Sequence, residues 1–101
     1  MMYAPTEEKV VYRDTRVVPH WYCVKTTMHC TGKIESEIVK DEKTKLPIVL
    51  QTDEKPQDGV FETPSATTYY SYFDGYKAAA RQVEAVHETW LDMLNAYASA
   101  L

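Results

Sequence analysis

The stretch ATTYYSYFDGYKAAARQVEAVHETWLDMLNAYASAL, residues 66–101, decides the fold, because its periodicity changes in the middle. Residues 66–73 are dense in threonine and aromatic side chains, the types that fit a pleated surface, and they predict a strand. After Asp74 and Gly75 the period becomes helical. Tyr76, Val83, Trp90 and Tyr97 recur at spacing seven, as do Ala79, Val86, Met93 and Ala100, and Ala80, His87, Leu94 and Leu101. Together they form one wide apolar stripe, while Lys77, Arg81, Glu84, Glu88, Asp92 and Asn95 fall outside it. A helix is therefore predicted over 75–100. Asp74 is expected to accept hydrogen bonds from the free amides of its first turn, where a negative charge also suits the helix dipole.

Such a helix is long for its host. About 26 residues at 1.5 Å rise span roughly 39 Å, whereas a compact 100-residue domain is about 33 Å across. The last turns are expected to overhang, so Trp90, Leu94, Tyr97 and Leu101 are candidates for an oligomer interface. A helix that curves over the sheet and frays at its end is the competing expectation.

Working back towards the N-terminus, residues 20–30 alternate as a strand. Tyr22, Val24, Thr26, Met28 and Cys30 share the expected inner face, and Trp21, Cys23, Lys25, Thr27 and His29 the other. Thr31 and Gly32 mark a turn into a second strand over 33–40, with Ile34, Ser36 and Ile38 on one side. A two-residue loop would set Ile34 and Ile38 opposite His29 and Lys25, mixing the faces. A three-residue loop over 31–33 pairs Cys30 with Ile34, Met28 with Ser36 and Thr26 with Ile38, and is preferred. The polar run 41–45 is a further turn, and Leu46, Ile48 and Leu50 alternate in a third strand, which lies at an edge or begins beyond Pro47.

Two regions read differently. Residues 1–8 form a loose N-terminal arm, followed by a weak edge strand over 9–18 that Pro19 ends. Residues 53–65 are rich in Asp, Glu, Pro, Gln and Gly and read as one long acidic loop. The expected architecture is α+β: a single domain over 1–101, with an antiparallel meander of three to five strands and one long amphipathic C-terminal helix on one face.

Composition narrows the function. The chain has 11 basic and 15 acidic residues, net −4, and residues 51–101 hold 3 basic and 8 acidic side chains, net −5. Direct nucleic-acid binding through a basic surface is disfavoured, and a basic partner would meet the second half. Two cysteines cannot build a disulfide framework and no signal peptide opens the chain, so a cytoplasmic, reducing setting is expected. The longest apolar runs fall far short of the roughly 20 residues of a membrane span.

Chemistry is sparse. With glycine only at Gly32, Gly59 and Gly75, no glycine-rich phosphate loop can be built, and no cofactor is expected. His20, Cys23, His29 and Cys30 carry zinc-ligand atoms, but on one extended strand His20 and Cys30 lie roughly 33 Å apart, with the other two on the opposite face. Cys23 and Cys30 read as structural cysteines, since the sequence shows no context that would make a Cys-His nucleophile pair of these residues. His87 falls in the helix stripe and reads as a boundary residue. Glu84, Glu88 and Asp92 form an acidic column at i, i+4 and i+8, a solvated face or a ridge for a basic groove.

The aromatic cluster is the most telling feature. Alternation sends Tyr70 and Tyr72 to one face and Tyr69 and Phe73 to the other, and one helix covers only one face. Tyrosine is enriched in binding hot spots, although cross-strand aromatic pairing alone also stabilises a half-exposed sheet. The expected function is a small acidic, non-catalytic protein-binding module. Its candidate partner residues are Tyr69, Tyr70, Tyr72 and Phe73, then Asp53, Glu54, Asp58 and Glu62 of the loop, and Glu84, Glu88 and Asp92 of the helix. Phage-encoded inhibitors of host systems share this general character. A structural subunit held by the arm and the helix is the alternative. An enzyme would need two or more of His20, His29, His87, Cys23, Glu35 and Glu37 within hydrogen-bond reach.

Overall fold

The computed structural model describes residues 17–100. Five strands, β1 (His20–His29), β2 (Ile34–Ile38), β3 (Val49–Gln51), β4 (Gly59–Glu62) and β5 (Ala66–Asp74), are followed by one helix, α1 (Tyr76–Ala100). All strand pairs are antiparallel, and the architecture is α+β as expected. The order β2-β1-β5-β4 is not a simple meander, because β5 returns to pair with β1 along its length, Trp21 to His29 against Asp74 to Ala66. The other edge of β1 is shared. β2 pairs with Val24 to Met28, and β3 takes over at Tyr22 to His20.

The β1–β2 hairpin has the expected three-residue loop, but one residue earlier, which shifts the pairing register by two. Val24 faces Ile38, Thr26 faces Ser36 and Met28 faces Ile34, and the His29 amide donates to the Lys33 carbonyl at 2.8 Å. The loop is therefore Cys30, Thr31 and Gly32, with Gly32 at φ 96°, a left-handed conformation that disfavours any side chain. A slip of two keeps every side chain on its own face, so the facial pattern was legible while the register was not. β3 begins beyond Pro47, and Lys40 and Pro47 form only an isolated bridge.

The predicted acidic loop over 53–65 needs correction. β4 occupies Gly59–Glu62 within it and pairs with Thr67 to Tyr70. Val60 and Phe61 are good strand formers, but four residues are too few to show alternation. The strand predicted over 9–18 falls largely outside the described residues, and the predicted arm over 1–8 wholly so.

Helix α1 starts one residue after β5. Gly75, at φ 95°, makes the corner, and its amide donates to the His20 carbonyl at 2.9 Å. The expected cap by Asp74 is replaced by a tertiary bond, with Asp74 Oδ1 accepting from the His20 amide at 3.2 Å. α1 runs back mainly over β2 and β1, and less over β5. The core is small: Val24, Ile38 and Ala79 are buried, with Tyr22, Phe73, Ala80 and Val83 packed around them. The Tyr22 and Tyr76 rings meet edge to face, centroids 5.6 Å apart.

Candidate functional site

Cross-strand register assigns every strand residue to a face. The helix side carries Tyr22, Val24, Thr26 and Met28 of β1, with Phe73, Ser71, Tyr69 and Thr67 opposite them on β5. Helix α1 does not reach β4, and on this side Met28 of β1, Tyr69 of β5 and Val60 of β4 remain 44%, 38% and 61% exposed. The open side carries Tyr70 opposite Lys25 and Tyr72 opposite Cys23. The four aromatic candidates thus split as alternation requires, and Phe73 belongs to the core rather than to a surface.

Tyr70 and Tyr72 are nevertheless half-buried, although no helix covers their face. The two ends of the segment joining β3 to β4 reach this part of the sheet. The Trp21 indole Nε1 donates to the Thr52 carbonyl at 2.9 Å, and Asp58 is close enough to act electrostatically on Cys23 and Tyr72. Burial raises the Cys23 thiol above its ordinary range, and the Asp58 charge adds to this against the opposing effect of the Tyr72 hydrogen bond. Burial, the neighbouring Cys23 and Asp58 likewise raise the Tyr72 phenol. The acidic segment thus touches the aromatic side of the sheet through Thr52 and brings the Asp58 charge near Tyr72, while Asp53, Glu54 and Asp58 are exposed.

At the other end of the open side, His29 Nε2 lies 2.6 Å from Glu35 Oε2, and Lys33 Nζ lies 3.5 Å from Glu35 Oε1. The His29 hydrogen bond, with the Lys33 charge, holds the Glu35 carboxyl below the usual range. This diagonal cross-strand pair brings together two of the residues an enzyme would need. It sits in a shallow groove with Lys25, Thr27, Glu37 and Thr68, open to water. His20 is bonded instead to Gln51, Nε2 to Nε2 at 2.7 Å. Among the described residues no group of three or more His, Cys, Asp or Glu side chains is placed to hold a metal ion.

The helix carries its acidic column, Glu84, Glu88 and Asp92, exposed throughout. Between α1 and β2 a groove of about 550 Å³ opens, walled by Ile34, Ser36, Val83, His87 and Trp90. Past Trp90, which is half-buried, residues 91–99 are all exposed, including Leu94 and Tyr97. Leu101 lies outside the described residues.

The sequence reading missed the outer edge of β4. No described strand pairs with it, and Val60 and Phe61 stand 61% and 62% exposed there, between Asp58 and Glu62. The adjacent Val-Phe pair inside a polar loop was the available signal. No described helix is long and apolar enough to cross a membrane. No protein-family model, curated protein or solved structure matches this chain.

Proposed function

We propose that this chain is a non-catalytic interaction protein that holds a protein partner along the outer edge of β4. One observation supports the reading above the others: an edge strand whose outer side has no partner among the described residues carries two large apolar side chains, Val60 and Phe61, each more than half exposed. An unpaired edge offers main-chain donors and acceptors to an incoming strand, and side-chain pockets supply selectivity. Val60 shares the helix side with its partner Tyr69, and Phe61 points to the open side with Thr68, so an added strand would be gripped on both faces. Completing their burial contributes about 1–2 kcal/mol per side chain. Asp58 and Glu62 flank the pair, and the partner segment is accordingly an extended one with alternating apolar residues and basic neighbours.

Selection of displayed random peptides on the protein tests this. Bound peptides should be extended and basic, should protect the amides of Gly59–Glu62 from hydrogen exchange, and should lose affinity at least tenfold for Phe61→Lys. Peptides that protect another segment, or that bind the variant equally, would remove the β4 edge as the binding site.

A further inference from the structure

The two halves of α1 meet different surroundings. Strand β2 is five residues long, roughly 17 Å, whereas α1 has 25 residues, roughly 37 Å. Ala79, Ala80 and Val83 pack over Val24 and Ile38, and by Trp90 the helix has reached Ile34 at the start of β2. Beyond that point the same stripe continues as Met93, Leu94 and Tyr97, which are 48%, 42% and 68% exposed. The stripe thus keeps large apolar side chains, Met93, Leu94 and Tyr97, where contact with the sheet has ended.

We infer that the C-terminal half of α1 pairs antiparallel with the same half of a second copy, each helix tip lying on the exposed Met28 and Tyr69 of the other copy's helix-side face. Three observations select this occupant. Spacing is the first: Trp90 and Tyr97 with Met93 and Leu94 give the seven-residue seam of paired helices. Charge is the second. From Met93 to Ala100 there is no charged side chain, so nothing repels a copy and nothing recruits a basic partner, while Glu84, Glu88 and Asp92 stay outside the seam.

Area is the third, and it also sets the geometry. Met93, Leu94 and Tyr97 offer about 350 Å² per copy, hence about 700 Å² for two, short of the roughly 1,000 Å² that a specific interface must clear. Adding the exposed parts of Met28 and Tyr69 brings the total to about 1,050 Å², above that mark. Antiparallel helices carry each tip back towards the partner's Trp90 and sheet; parallel helices would carry both tips away from both sheets. This surface is separate from the β4 edge, and either assignment can fail without the other.

Light scattering and analytical ultracentrifugation on the full chain, over a wide concentration range, decide the matter. The wild type should run at twice the 11.6 kDa chain mass. Leu94→Glu with Tyr97→Glu should give a monomer with an unchanged far-ultraviolet spectrum, since both residues are exposed and outside the core. Met28→Glu, a change on the sheet and not on the helix, should weaken the dimer at least tenfold. A monomeric wild type, or a dimer that survives the double substitution, overturns the inference. A dimer indifferent to Met28→Glu overturns its antiparallel geometry.

Discussion

Replacing Val24 with alanine tests how the helix is held to the sheet. Val24 is 1% exposed and is the largest fully buried side chain among the described residues. It stands opposite Ile38 on β2 and Ser71 on β5, under Ala79 of the helix. Removing two methyl groups costs about 1.6 kcal/mol in transfer free energy. Strands on both sides and the helix above limit collapse of the site, and a residual cavity raises the total to about 2–3 kcal/mol. A domain of this size has roughly 5–15 kcal/mol in all, and so small a core places this one towards the lower end. The melting temperature should fall by about 10–20 °C. Urea unfolding followed by circular dichroism measures the change, at one fixed protein concentration because self-association would shift the midpoint. A loss below about 1 kcal/mol with an unchanged denaturant slope would refute the view that this small cluster is what fastens α1.

Two further outcomes are expected. Cys30 is exposed and Cys23 is buried with its thiol raised, so brief treatment with iodoacetamide at neutral pH should modify Cys30 alone, and mass spectrometry should find a second adduct only after unfolding. Asp41 Oδ1 accepts from the Lys43 and Thr44 amides at 2.8 and 3.0 Å, which lowers its carboxyl below the ordinary value. The folded-state value is the depressed one, so the stability Asp41 contributes over Asp41→Ala is complete above about pH 4, where the unfolded chain titrates, and is lost as pH falls through the folded value. Carboxyl titration by nuclear magnetic resonance, with urea melts across the acid range, checks both parts; a midpoint at or above the ordinary value would contradict the turn geometry.

Elements with strong local periodicity were readable in the chain. β5 and α1 were placed to within a residue, because a threonine and tyrosine run followed by Asp74-Gly75 and a 3.6-residue stripe satisfies only one arrangement. The facial assignment of β1 and β2 also followed from alternation. β4 escaped notice, since four residues with two apolar neighbours carry no period and owe their conformation to pairing with β5. Asp74 shows the same competition on a smaller scale, because the His20 amide, distant in sequence and adjacent in space, takes the oxygen that local rules assign to the helix.

The sequence by itself determined the places of β1, β2, β5 and the helix, which side of these strands is apolar, and that the helix outruns its support, since these follow from local propensity, side-chain periodicity and rise per residue. Tertiary structure alone decided the return of β5 to β1, the two-residue shift of the hairpin register, the bond from Trp21 to the Thr52 carbonyl, and the exposure of Val60 and Phe61 at the β4 edge. Each of these depends on which distant segments share an edge or a face, and that is settled by competition among non-local contacts rather than by any local pattern.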